Sequence, residues 1–318
     1  MPHIFIIFLL STLLQAQMKP VNFMPPSQKS SNFMGIRILD AKVLSFKPKN
    51  GIAFTEVSAL AYDPERSRLY GLSDHGYLYH LIVTIKQEKL AEIKLLEAYK
   101  LRNKKGKRLK KSKRDSEGLD VTDKGLLIAF ERNPRVSLFS RKGKEIKEYS
   151  LHKKLRNVKH YQDKNDALEA VTVHPKYGIL TVPEIPLKKH DKTIHTLYAK
   201  KKMWRFKAKG FIKAIETMED GAILVLEKSY KSSKKRRVVA LTKVDIEGCK
   251  SKLCPSETVA LFDTKDGWQL DNFEGMTRLE HNRYLMISDD NDSPKQKCIL
   301  VLFDITKGHI KKPVNPSL

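Results

Sequence analysis

The 318-residue chain reads as an all-β protein, a β-propeller of about five four-stranded blades. Three observations lead there. A short element of acid, small residue and apolar residue recurs along the chain. Each copy is followed, after a turn, by an apolar run that ends on acidic or polar residues. Long amphipathic helical patterns are scarce.

The first element appears as EVSALAYD from Glu56, EGLDVTD from Glu117, EAVTVHP from Glu169 and EGMTRLE from Glu274. A degenerate copy, FIKAIETMEDG, begins at Phe211. The second element appears as LYGLSDHG, LLIAFERNP, GILTVPEIP, AILVLEKSY and YLMISDDND. Aligned on Asp74, Glu131, Glu184, Glu227 and Asp289, its copies lie about 54 residues apart. That is near the roughly 40–50 residues of a propeller blade, with room for loop insertions. Further strand-like runs follow each pair, among them YLYHLIVTI, TIHTLYA, RVVALTKVDI and CILVLFDI. They are rich in β-branched and aromatic residues and bounded by turn formers. KLAEIKLLEAY, from Lys89, also fits a helical period, but its position suits the outer strand of a blade. IRILDAKVLSF, from Ile36, has no acidic pair and is expected to be the outer strand of the final blade. It would close the ring by pairing the chain's N- and C-terminal strands, which removes exposed sheet edges. Six blades result instead if this segment and the tail form a sheet of their own. The single propeller domain is placed at residues 35–318.

Residues 4–14, IFIIFLLSTLL, are too few for a membrane span, which needs roughly twenty apolar residues. They have the length of a signal-peptide apolar region, with Ala16 at a cleavage point. Residues 1–16 are therefore expected to be a signal peptide and the protein to be exported, periplasmic or secreted. No Lys or Arg precedes the run, so an uncleaved anchor and a buried N-terminal strand stand as alternatives. No later apolar run is long enough to cross a membrane. Cys249 and Cys254, in GCKSKLCP, could form a local disulfide in an oxidising compartment. Cys298, in KCILVLF, reads as a buried small hydrophobe. The thiols lack the spacing of a metal site.

The formal net charge of +25 favours anionic partners. It is concentrated in RNKKGKRLKKSKR, from Arg102, and KSYKSSKKRR, from Lys228, which contain no acid. Solvated loops account for both runs. Nucleic-acid binding calls for interleaved aromatics, which the first run lacks, so a nucleic-acid partner is not expected. A small anionic, phosphorylated substrate and a monomer are.

SEGLD, LEAVTV, the ER of LLIAFERNP, the LEK of AILVLEKSY, and above all DNFEGM from Asp271 with SDDND from Ser288, resemble the esterase-like phytase family. The resemblance covers about residues 50–305 and rests most on DNFEGM followed by SDDN. It implies a bacterial exported propeller, distantly related to calcium-dependent β-propeller phytases, and implies fold more strongly than activity.

The residues themselves point to a cation. Inner strands of a propeller line a central channel, so acids recurring at one blade position face one another across the axis. Glu56, Glu117, Glu169 and Glu274 are expected at one level, and Asp74, Glu131, Glu184, Glu227 and Asp289 near one rim. So many carboxylates in a channel repel, and their pKa values rise unless a cation neutralises them. Calcium takes six to eight oxygen ligands. The expected metal set is Glu56, Glu117, Glu169, Glu227, Asp271, Asn272, Glu274, Asp289, Asp290 and Asn291. A bound divalent ion would activate a phosphoryl oxygen and a water, with Glu117, Glu169 and Glu274 as the catalytic carboxylates. Arg132 would clamp a phosphate bidentately. The competing reading is a non-catalytic envelope propeller that binds a ligand or partner, its metal only structural, since turn-adjacent acids also accept backbone hydrogen bonds that lock blades together. Ser73, Asp74 and His75 are consecutive, which places neighbours on opposite faces of a strand and excludes a catalytic relay. No HExxH, Walker-A or dinucleotide pattern occurs.

Overall fold

The computed structural model describes residues 18–163, 165–231 and 236–306. The expected signal peptide and the last twelve residues of the expected domain lie outside them. The described residues form five antiparallel sheets arranged as the blades of a propeller. Blade one holds β4 (Val57–Asp63), β5 (Arg68–Ser73), β6 (Tyr77–Lys86) and β7 (Lys89–Lys100). Blade two holds β8 (Ser116–Thr122), β9 (Gly125–Phe130), β10 (Arg135–Phe139) and β11 (Glu145–Tyr149). Blade three holds β12 (Leu168–His174), β13 (Gly178–Pro183), β14 (Ile194–Tyr198) and β15 (Met203–Lys207). Blade four holds β16 (Phe211–Thr217), β17 (Ile223–Lys231), β18 (Arg236–Val244) and β19 (Ser256–Asp263).

The fifth blade closes the ring as expected. Its strands β20 (Asn272–Glu280), β21 (Arg283–Asp289) and β22 (Ile299–Ile305) are completed by β3 (Ile36–Leu44) from the other end of the chain. Two short strands lengthen this sheet: β1 (Met18–Pro20) and β2 (Asn32–Phe33) both pair with β3. The sheet thus begins at Met18, upstream of residue 35. The ambiguous KLAEIKLLEAY stretch is β7, an outer strand.

Five apolar clusters hold the blades together, one at each blade–blade interface. Alternate residues of one strand serve two clusters. Leu285 and Ile287 face blade one, while Tyr284 and Met286 face blade four. Strands buried on both faces need apolar residues at every position, which is why LLIAF and ILVLF read as continuous runs. Cys249 and Cys254 form a disulfide, and Cys298 is buried as a free thiol.

A second set of contacts locks the inner strands. Asp120 Oδ2 accepts the Val173 N–H at 2.6 Å, and Thr172 Oγ1 accepts the Thr217 N–H at 3.2 Å. Glu216 Oε2 accepts the Arg278 N–H at 3.2 Å, and Thr277 Oγ1 accepts the Tyr62 N–H at 3.0 Å. These acceptors occupy one repeat position, and each binds the backbone of the following blade. Blade one has Ala61 there, with no acceptor to offer. Asp120 Oδ1 bonds the N–H of Val121 instead, at 2.6 Å.

Candidate functional site

Each inner strand carries a β-bulge at one repeat position. The pairing of β4 with β5 slips between Val57 and Ala59, leaving Ser58 as the extra residue. The same slip leaves out Glu117 in β8, Glu169 in β12, Lys213 in β16 and Glu274 in β20. A bulge re-aims one side chain out of the pleat. Repeated in five blades, it builds a five-membered ring at the head of the inner strands: Ser58, Glu117, Glu169, Lys213 and Glu274. A small residue follows each bulge, namely Ala59, Gly118, Ala170, Ala214 or Gly275. A Cβ on Gly118 would lie 2.8 Å from the Val171 nitrogen, so the inner strands approach too closely there for a larger residue.

The second ring comes from the residue just past the bulge partner on the neighbouring strand. Val57 pairs with Ser73, Ser116 with Phe130, Leu168 with Pro183, Ile212 with Glu227 and Phe273 with Ser288. The next residues are Asp74, Glu131, Glu184, Lys228 and Asp289. In both rings blade four supplies a lysine where its neighbours supply acids.

Two sequence expectations are corrected by this register. Glu56 is not level with Glu117, Glu169 and Glu274. It precedes β4 with φ of 53° and turns to His75, whose Nδ1 also lies 2.8 Å from Asp74. Aligning the repeat on its small residue rather than on its acid would have selected Ser58. Glu227 is not in the second ring either. Its carboxylate accepts the N–H groups of Lys209 and Gly210 at 2.7 and 3.2 Å and the Thr242 hydroxyl, and so braces the entry to blade four.

The lysines organise half of the cluster. Lys213 Nζ is 2.6 Å from both Glu169 and Glu184 and 3.6 Å from Glu274. Lys228 Nζ is 2.7 Å from Glu274 and also bonds Asn272. Asn272 donates to Glu274 at 2.9 Å and to Asp289 at 3.4 Å. Burial raises the Glu274 carboxyl, but Lys213 and Lys228 outweigh it and hold the group below its ordinary value. Burial would lower the Lys213 ammonium, yet Glu169, Glu274, Glu184 and Glu117 drive it well above its ordinary value.

In the other half Lys213 lowers the carboxyls without outweighing burial. Among the described residues no ion pair reaches Glu117 or Glu131. Burial raises Glu117 well above the ordinary range, with Glu169 and Glu274 adding to it. Burial, then Asp115 and Glu184, pushes Glu131 up to about 8. Glu169 is raised as well, by burial first, despite Lys213. Burial and Glu274 push Asp289 up to about 7. Oxygen donors of Asp115, Glu117 and Glu131 lie within 4.8 Å of one another, as do those of Glu131, Glu169 and Glu184. Glu131 is shared by both groups. An all-oxygen donor set of this kind fits a hard cation.

The remaining expected residues sit at the margin. Asp271 accepts the Asn272 and Lys297 N–H groups, at 3.1 and 2.7 Å. Asp290 Oδ1 accepts from the Thr55 hydroxyl at 2.6 Å and the Glu56 N–H at 2.9 Å, tying blade five to blade one. Asn291 donates its N–H to Asp289 and its side-chain amide to Gln296, at 2.8 and 2.7 Å. Arg132 pairs through Nε with Asp115 at 2.7 Å, its side chain 44% exposed at the rim. Asp115, Lys213 and Lys228 were not singled out from sequence. The lysines broke the acidic pattern, and only the strand register shows that they continue it.

Residues 52–292 match the model of a family described as phytase-like, with the esterase-like activity of phytase. No curated protein matches the chain. Among solved structures, the chain is similar to the Swd1 β-propeller domain of Myceliophteria thermophila, at 9% identity and a TM-score of 0.43, covering 92% of this chain and 99% of that one. It is similar to a luciferin-regenerating enzyme at 11% identity and a TM-score of 0.39, covering 79% and 92%. It is also similar to the hydrazine synthase of Kuenenia stuttgartiensis at 12% identity and a TM-score of 0.35, covering 77% and 79%. These structural likenesses are too distant to bear on activity.

Proposed function

The chain belongs to the phytase-like family, and from that premise we propose that it is an exported hydrolase of an anionic ester, with a hard divalent cation, calcium foremost, held by Asp115, Glu117 and Glu131. The observation that carries this reading is the convergence of those carboxylates, with Glu169 and Glu184, at the head of the inner strands. In a chain of formal charge +25 this local excess of acid runs against the whole composition. Among the described residues Glu117 and Glu131 make no ion pair, and the charge of Lys213 does not outweigh their burial. A bound cation would supply that balance, polarise an ester oxygen and acidify a water.

The protein's own groups have distinct parts. Lys213 fixes Glu169 and Glu184 in place, and Lys228 fixes Glu274. Arg132 spends Nε on Asp115, which leaves its terminal nitrogens for an incoming phosphate at the mouth. The Cys249–Cys254 disulfide supports an oxidising compartment and hence export.

Lys213 also favours a second reading. A tethered ammonium is already paired with three of the acids, as expected of a ligand-binding propeller in the envelope with no chemistry of its own. Purified protein assayed on a generic phosphate ester and a generic carboxyl ester, with calcium and with chelator, separates the two. Calcium-dependent turnover that Glu117→Gln and Glu131→Gln abolish is the expected result. No turnover of either ester, with calcium still raising the melting temperature, overturns the hydrolase and leaves the binding propeller.

A further inference from the structure

The end of the propeller at which the inner strands begin is basic around its acidic throat. The loop entering β8 carries nine Lys and Arg among residues 102–114. Leu109 anchors it in the core, while Lys104, Lys105, Lys107 and Arg108 are exposed. The loop entering β12 is built the same way, with Leu155 and Tyr161 buried and Lys153, Arg156 and Lys159 exposed. In blade four, β17 and β18 stay paired past the ring residue Lys228, as far as Lys231 with Arg236. Three further residues of strand carry this hairpin ~10 Å beyond the ring. Near its tip the Arg237 guanidinium lies 5.5 Å from the centre of the Tyr230 ring.

Large apolar side chains protrude among these cations. Val158 is 63% exposed, Tyr230 51% and Phe211 42%, and all three lie on this end. The opposite end is mixed in charge: its turns expose Glu65, Glu219 and Glu280 alongside Lys176 and Lys200, Lys201 and Lys202. We propose that the mouth-bearing end docks flat on an anionic phospholipid bilayer, its lysine-rich loops on the headgroups and Val158, Phe211 and Tyr230 at the interface.

Three features select a bilayer. The cations come from two neighbouring loops and the blade-four hairpin, with Arg102 at the outer edge against the Gly143 carbonyl, so they are spread over a broad surface rather than lining a groove. Lys and Arg next to an anionic leaflet are attracted within a Debye length of it, and the attraction is additive. Apolar tips between cations suit the headgroup boundary. Phe211 and Tyr230 could also stack bases of a single-stranded nucleic acid, but residues 102–114, the most basic loop, contain no aromatic. The proposal is independent of any cation in the throat.

The test is co-sedimentation of the full chain with vesicles of phosphatidylcholine alone and of phosphatidylcholine mixed equally with phosphatidylglycerol. The expected result is partition into the anionic vesicles only, lost near 1 M salt, where the screening length falls to about 3 Å. Lys104→Glu with Lys105→Glu and Lys107→Glu is expected to weaken partition roughly tenfold or more. Tyr230→Ser is expected to weaken it by a similar factor at every salt concentration where the wild-type chain still partitions, because an apolar contact is not screened. The same charge reversals at Lys200, Lys201 and Lys202, on the opposite end, are the control and should leave partition unchanged. An unaltered melting temperature shows that each variant is folded. No partition at low salt, equal losses from both sets of reversals, or binding of a DNA duplex without binding of anionic vesicles each overturns the proposal.

Discussion

Lys213 stands where the repeat otherwise places an acid, and its ammonium is the hub of three carboxylates. Removing one partner of a buried ion network leaves charge uncompensated, at about 3–5 kcal/mol. Lys213→Met is therefore expected to be strongly destabilising in chelator, with part of the loss recovered on adding calcium; urea denaturation with and without the ion reads both. Glu131 gives the opposite sign. In the unfolded chain its carboxyl ionises near 4.5, and in the folded protein near 8. Between those values the native state holds the extra proton, so stability falls as pH rises through the window and the full penalty is present above it. Glu131→Gln should flatten that fall and raise the melting temperature at pH 8 in chelator by about 2 °C. Wild-type protein with calcium should lose the fall as well, because the ion replaces the proton. A melting series from about pH 4.5 to about pH 8 measures all three.

At the scale of the element, the five bulges matter more than the acids they carry. Blade length, the apolar strands and the order of the repeats were legible in the sequence, because strands buried on both faces must be apolar throughout and the turns between them polar. What was not legible was a shift of one or two residues. A bulge changes which residue points to the axis without changing composition, so Glu56 read as a partner of Glu117 and Glu227 as a partner of Glu184. Lys213 and Lys228 could not be found by looking for acids at all. The blade locks were foreseen only as a kind of contact, not by residue. Asp120 serves two backbone N–H groups, Val121 and Val173, each at 2.6 Å. Asp120→Ala leaves both without their acceptor, at about 1–3 kcal/mol each. Asp120→Asn retains a single carbonyl oxygen and should cost less. Hydrogen exchange at Val173 and Val121 is expected to rise in both variants, most in the alanine.

The whole molecule behaves as a closed ring because β3 sits beside β22. With one apolar cluster at each of five interfaces, no blade is stable alone, and a single cooperative transition is expected in calorimetry. Deleting residues 18–44 removes β1, β2 and β3 and bares the edge of β22, Ile299–Ile305. Such an exposed apolar edge templates pairing with other chains. The truncated protein should aggregate where the full chain is monodisperse in light scattering. The same closure sets a timetable for the newborn chain. β3 is made first among the blade strands, yet its partner emerges some 260 residues later. For that interval a nine-residue strand must wait without pairing to a neighbour's copy of itself. Arg37, Asp40 and Lys42, set among its apolar residues, are the kind of charges that keep a waiting strand solitary. The last seam to close is thus also the first segment at risk, and its charges guard the chain before they take part in the fold.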